Sequence, residues 1–275
     1  MIKNWLITGD THGLSELIQR TKNLDAYEPS ETAIVVLGDL GANFYLNKTD
    51  QKWKEKFQST GYTVFAVRGN HEARPQNLPH MNYIFHKDVQ GGVYVEDNYP
   101  NIFYFMDYGT YTIAGYHCLV IGGAYSVDKW HRLARKREGA NSWCGWWSDE
   151  QLSSVERTRC RNFLLTSHST NFDFVLTHTC PISYEPTDLF LDFIDQPTVD
   201  KTMEKFLEEI KNILTFKVWC FGHYHADRLE KPGIQQFYRT IETFDEVYNR
   251  WYGNPPTIET DYWIPKAPYY YEGQK

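Results

Sequence analysis

Asp10-Thr11-His12, Asp39, Asn70-His71, His178 and His223-Tyr224-His225 are the residues of this chain with the means to do chemistry, and each stands just past a short apolar run in a polar loop. Imidazole and carboxylate together suit borderline divalent ions such as zinc, iron or manganese, whereas calcium would be held by oxygens almost alone. Asp39 has two carboxylate oxygens and so can face two ions at once, at the roughly 3.5–4 Å spacing of two-metal hydrolytic sites. Asp10 and Asp39 set two negative charges against the four positive charges of two such ions. The pair would keep a net positive charge that draws in phosphate and hydroxide.

Elements to position these side chains are readable from the apolar periodicity. Residues 2–8 read as a buried strand, Leu14, Leu17, Ile18 and Leu24 recur at helical spacing, residues 32–37 form the next strand, 50–58 the next helix and 62–67 the third strand. A βαβαβ opening implies a parallel sheet with helices on its faces. The runs around Val93 and at residues 102–106, 110–114 and 117–121 lie close together between turns, which predicts an antiparallel patch and a mixed architecture. Ser148 and Gln151 stand at N-cap and capping-box positions and predict a helix start there. Further strands are expected at 174–176 and 217–221 with a helix at 199–214 between them, and strands at 233–237 and 240–244 to close the second sheet. In an open α/β sheet the carboxyl ends of neighbouring strands converge on one crevice, so five loops would deliver the polar residues to one place.

Composition bounds what else the chain can be. Its 275 residues bury a substantial core, and 9 Trp, 20 Tyr and 16 Phe argue against disorder outside the termini. A net charge of -7 excludes a surface that tracks duplex nucleic acid along its whole face, though not a local basic cleft. The five cysteines, Cys118, Cys144, Cys160, Cys180 and Cys220, form no C-x-x-C pair and fit a reducing cytosol. No apolar run is long enough to span a bilayer, so a cytoplasmic protein without a membrane partner is expected. Residues 1–252 read as one domain, and the Pro- and Tyr-rich residues 253–275 as an extended strap on the same domain.

The motifs Gly9-Asp10-Thr11-His12-Gly13, Gly38-Asp39, Gly69-Asn70-His71-Glu72, Thr177-His178 and Gly222-His223-Tyr224-His225 resemble, in order, those of the calcineurin-like metallophosphoesterase family, across residues 5–226. The resemblance implies an α/β fold, a four-layer αββα sandwich of two mixed β-sheets flanked by helices. It implies that Asp10, His12 and His225 bind one metal, Asn70, His178 and His223 the other, and that Asp39 bridges the two. It also implies that His71 is a general acid rather than a ligand, protonating the leaving oxygen while a metal-bridging hydroxide attacks phosphorus. Glu72 is the nearest carboxylate in sequence to keep His71 charged.

The chain departs from the protein serine/threonine phosphatases, whose second motif continues with an Asp and an Arg where this sequence has Ala42 and Asn43. Such a phosphatase is therefore disfavoured, with Asn43 left as a weaker, neutral donor to a phosphate oxygen. Beyond Gly122-Gly123 a basic run from Lys129 to Arg137 offers Arg132 for a bidentate phosphate contact, and Trp143, Trp146 and Trp147 for an aromatic wall. The expected activity is a dinuclear metal-dependent hydrolysis of a phosphate mono- or diester on a small phosphorylated molecule, with manganese, iron or zinc as cofactor. A nuclease or nucleic-acid phosphodiesterase is the alternative, and an inactive interaction module on the same fold a second one. Oligomeric state is left open.

Overall fold

The computed structural model describes residues 1–137, 145–166 and 170–253. Its opening is β1 (Asn4–Thr8), α1 (Leu14–Thr21), β2 (Thr32–Val36), α2 (Lys48–Gln58) and β3 (Thr63–Ala66), as the periodicity predicts. The three strands are parallel, with Leu6 beside Ile34 and Ile34 beside Val64. Their continuous apolar runs follow from burial on both faces. Leu6, Ile34, Val36 and Val64 pack beneath the helices with Leu14, Leu17 and Phe57, whereas Ile7, Val35 and Phe65 point into the opposite core, as the two-residue period of a strand requires. Asn47 caps α2, its side chain accepting from Thr49 N at 2.8 Å.

An antiparallel hairpin, β4 (Met81–His86) and β5 (Gly91–Glu96), leads into β6 (Ile102–Phe105), which returns parallel to β3. The second sheet contains β7 (Tyr108–Ile113), β8 (Tyr116–Ile121), β9 (Asn171–Thr177), β10 (Thr215–Phe221), β11 (Arg228–Lys231) and β12 (Ile234–Gln236), in the order β11-β12-β10-β9-β8-β7. Three helices interrupt it in sequence, α3 (Lys129–Arg137), α4 (Ser154–Thr166) and α5 (Thr202–Ile213). Cys160 and Leu164 of α4, with Met203, Phe206 and Ile210 of α5, pack on Val175, Trp219 and Phe221. Trp5, Ile7 and Phe65 of the first sheet meet Val120, Phe174 and Val218 of the second in the central core. The layers are thus helix, sheet, sheet, helix, the α/β sandwich expected.

Four details differ from what the sequence predicts. The residues expected to close the second sheet include β13 (Ile241–Thr243), which instead pairs antiparallel with β1 at the edge of the first sheet, giving the order β13-β1-β2-β3-β6-β5-β4. A final helix, α6 (Phe244–Tyr252), follows at once and buries Phe244, Val247 and Tyr248 in the central core. The helix expected from Ser148 begins at Ser154, because the capping box is made by Ser153 and Glu156, with Ser153 N donating to Glu156 Oε2 at 2.7 Å. Glu150 is drawn off to Ser126 and Gln151 to Asp200, so the earlier match has no box to form. β4 escaped notice since Tyr83, Ile84 and Phe85 are exposed in succession and show no alternation. Residues 254–275, most of the expected strap, lie outside the described residues. Among the described residues no helix is long and apolar enough to cross a membrane.

Thr243 both ends β13 and caps α6: its hydroxyl accepts from Glu246 N at 3.1 Å and its N–H donates to Glu246 Oε2 at 2.7 Å. Thr243→Ala is expected to lower stability by about 1 kcal/mol. Equilibrium urea denaturation checks this, and an unchanged midpoint would mean that α6 adds nothing to the cooperative core.

Candidate metal centre

β1, β2 and β3 end at one edge of the first sheet, and β9 and β10 end at the matching edge of the second, because each set is parallel. Asp10 and Asp39 stand in the loops after β1 and β2, both essentially fully buried. Each uses one oxygen to hold a later loop: Asp10 Oδ1 accepts from His223 N at 2.8 Å, and Asp39 Oδ1 from His71 N at 2.9 Å. Their second oxygens are left to face the imidazoles. Asp39 Oδ2 lies 3.4 Å from His178 Nε2 and 3.9 Å from both His12 Nδ1 and His71 Nε2. Asp10 Oδ2 lies 3.4 Å from His225 Nε2 and 3.9 Å from His12 Nε2, and it is buried without a hydrogen-bond partner.

An unpartnered buried carboxylate oxygen is costly in a folded protein and marks a position that a cation suits. The neighbouring donors agree. His178 Nδ1 is tied to the Leu37 carbonyl oxygen at 2.8 Å, which fixes its proton there and turns Nε2, 2.8 Å from Asn70 Oδ1, toward the carboxylates. The Asn70 amide is oriented by donating to Ser126 Oγ at 2.9 Å, so its carbonyl oxygen is the atom presented. His12 Nε2 and His225 Nε2 face each other at 2.7 Å, so one of the two nitrogens lacks a proton. Among the described residues, three sets of side chains bring one donor atom each within 4.8 Å of the others: Asp10, His12 and His225; His12, Asp39 and His71; and Asp10, Asp39 and His178. His223 joins none of these sets, but its ring lies 4.9 Å from that of His178.

The electrostatics describe a site that needs positive charge. Burial pushes the Asp39 carboxyl up, yet the His178 and His71 imidazoles beside it outweigh this and hold it well below the usual carboxylate range. Asp10 is likewise lowered against burial, by His178 and His225. Burial opposes a proton on His178, but Asp39 and Asp10 raise it to about 9. Burial and the His178 charge then press His223 down to about 3. A proton on His178 meets in part the same demand that a divalent cation would meet, so the mixed nitrogen and oxygen donors fit a metal centre.

Backbone conformation carries the same signature. His12, Asp39, His223 and His225 have φ of 46°, 50°, 68° and 54°, in the left-handed region that non-glycine residues seldom occupy. The motif glycines make room: a Cβ at Gly38 would lie 2.0 Å from His178 Nδ1, one at Gly69 2.0 Å from Asp39 Oδ1, and one at Gly222 2.1 Å from Asp10 Oδ1.

The family model for calcineurin-like phosphoesterases matches residues 4–227. The chain belongs to that family. No curated protein sequence matches this calcineurin-like phosphoesterase. Among solved structures it is similar to the phosphopantetheinyl hydrolase from Mycobacterium tuberculosis, with a TM-score of 0.42 and 14% identity over 86% of this chain and 88% of that one.

Around this calcineurin-like centre the other sequence-predicted residues separate. Arg132 reaches the site from α3: Nη2 lies 3.2 Å from His71 Nε2, Nε donates to Asp128 Oδ2 at 2.7 Å, and Nη1 donates to the Gly145 carbonyl oxygen. Burial lowers the His71 pKa, Asp39 opposes this, and Arg132 adds to the fall. Glu72 is not the partner of His71; it is buried, its Oε1 accepts from Gly69 N at 3.3 Å, and burial beside Asp39 pushes its carboxyl up to about 7. Asn43 is 1% exposed and its Oδ1 accepts from Lys54 Nζ at 2.5 Å, while its Nδ2, the atom that could donate to a phosphate, is buried without a hydrogen-bond partner. Trp143 lies outside the described residues, and Lys129 Nζ covers the ring of Trp146 at 4.6 Å.

Two supports lie outside the sequence motifs. Arg20 donates to Thr8 Oγ1 at 2.8 Å and to the carbonyl oxygens of Gly9, Asp10 and Tyr238 at 3.3, 2.5 and 2.6 Å, pinning the first motif to the loop before β13. A cation one turn past Leu17 on the buried face of α1 was the available clue. Ser126 holds Asn70, and the Glu150 carboxylate in turn accepts from the Ser126 hydroxyl at 2.5 Å. Gly222→Ala is expected to displace Asp10 and weaken binding of a divalent metal by at least about tenfold, the scale of losing a group that orients a ligand. Elemental analysis after dialysis checks this, and full retention of metal would show that the close approach is not needed.

Proposed function

We propose that the chain is a dinuclear metal-dependent phosphoesterase that hydrolyses a phosphate mono- or diester of a small molecule. The observation that carries this reading is the buried Asp10 and Asp39 pair, ringed by imidazoles, with Asp10 Oδ2 lacking a hydrogen-bond partner. In it Asp10, His12 and His225 hold one divalent cation, Asn70, His178 and His223 hold the other, and Asp39 serves both. Manganese, iron and zinc all suit those donors. Two such cations supply Lewis acidity and a water nucleophile at neutral pH.

The remaining work falls to side chains beside the centre, Arg132 and His71. Arg132 Nη2 and His71 Nε2 stand 3.2 Å apart, so a phosphate oxygen arriving there meets a fixed guanidinium and an imidazole together. The anion also brings negative charge next to His71, which favours its protonated form and readies it to give a proton to the leaving oxygen. The buried Asp39, whose Oδ1 accepts from His71 N, holds that residue in register with the rest of the site. Placement in the cytoplasm agrees with the free, buried thiols of Cys118, Cys160, Cys180 and Cys220.

Chelation should abolish hydrolysis of an aryl phosphate and re-addition of manganese, zinc or iron should restore it; activity that persists in chelator would exclude this mechanism. His71→Asn should keep its metal yet slow esters with poor leaving groups by about a hundredfold or more, and esters with good leaving groups much less. Equal losses on both would remove the acid role from His71.

A further inference from the structure

Resting on the phosphoesterase reading above, we infer that the turn formed by Phe44, Tyr45 and Leu46 is the leaving-group subsite and takes a planar aromatic ring carried on the ester oxygen. The turn borders the centre on the side of His71: the Phe44 and His71 ring centroids are 6.3 Å apart with planes tilted by 31°. Gly145 separates it from Arg132, since a Cβ built there would lie 2.8 Å from Phe44 Cζ and 3.2 Å from Arg132 Nη1. Phe44 therefore flanks the imidazole beside which a phosphate held at Arg132 and His71 would sit.

Tyr45 stands edge-on to Phe44, with centroids 4.8 Å apart and planes at 86°, so the two rings make a right-angled corner. Tyr45 is 50% exposed and Leu46 46% exposed. Scattered apolar side chains on a surface need no explanation. These do, because buried charges hold them there. The carboxylate of Asp50, itself 5% exposed, accepts from Tyr45 N at 2.8 Å and Leu46 N at 2.7 Å. Leu46 sits at φ 52°, a strained value for a residue with a Cβ. The ammonium of Lys54, 3% exposed and paired with Glu96, holds Asn43, whose carbonyl oxygen accepts from Ala73 N at 3.1 Å and so couples the turn to the His71 loop. The turn is thus fixed by a buried carboxylate in the first turn of α2 and by a buried ammonium paired with Glu96, so its conformation is held before any ligand arrives. A rigid aromatic corner, one ring of which lies 6.3 Å from the His71 imidazole, is suited to stack a planar group with little ordering entropy left to lose.

Binding of phenylphosphonate and methylphosphonate to the manganese-loaded protein, measured by calorimetry, tests this without turnover. Tyr45→Ala is expected to weaken phenylphosphonate by roughly tenfold, the scale of one lost stacking contact, and methylphosphonate by clearly less. Tyr45→Phe should restore phenylphosphonate binding, and methylphosphonate reports that the variant remains folded. Equal weakening of both ligands, no weakening of phenylphosphonate, or a wild-type protein that binds the two alike would each overturn the subsite. A wild-type protein that binds neither would overturn the phosphoesterase reading beneath it.

Discussion

Everything at the centre of this molecule follows from two carboxylates placed side by side where water does not reach. Asp10 and Asp39 are both buried, and like charges in that position repel and lose solvation unless positive charge is brought to them. The response is a ring of imidazoles, together with two backbone N–H groups that satisfy one oxygen of each acid. Because those N–H groups belong to His71 and His223, each aspartate also fixes the loop that supplies the next ligands. The structural and chemical demands on the two residues cannot be separated.

That arrangement explains why the fold needs both sheets. The first sheet contributes the acids and Asn70, the second His178, His223 and His225, and the centre forms only where their strand ends meet. The seam is closed by direct bonds: His178 Nδ1 to the Leu37 carbonyl oxygen, Gly123 N to the Arg68 carbonyl oxygen, and Arg68 to Asp107. β13 adds a further tie, since it belongs to the first sheet although the strands before it in sequence belong to the second. Arg20 reaches that crossing and the Asp10 loop with one guanidinium.

The strand-end ligands were legible in the sequence because both-face burial makes a parallel strand a continuous apolar run, and the polar residue that ends it is conspicuous. Arg132 was legible as a basic residue after a glycine pair, and the structure does bring it to His71. What could not be read was pairing at a distance. Glu72 is next to His71 in sequence, yet in the third dimension it answers to Gly69, while Arg132 sits against the imidazole. Lys54, which holds the Asn43 side-chain oxygen, lies eleven positions on and would ordinarily be counted as a solvated helix charge. The helix expected at Ser148 failed for the same reason, as Gln151, its capping-box residue, was taken by Asp200. β13 had too few residues to announce which sheet it would join.

The left-handed backbone at His12, Asp39, His223 and His225 has a consequence for how the site is interrogated. Alanine there removes a donor atom but keeps a Cβ in a conformation that disfavours it by roughly 1–2 kcal/mol, and it loses the local polar contacts that let His and Asp tolerate the region. Loss of function in an alanine scan would then mix two causes, a missing ligand and a loop that relaxes out of shape. Glycine is the cleaner blank at these four positions, because it deletes the side chain and leaves the curve of the chain intact.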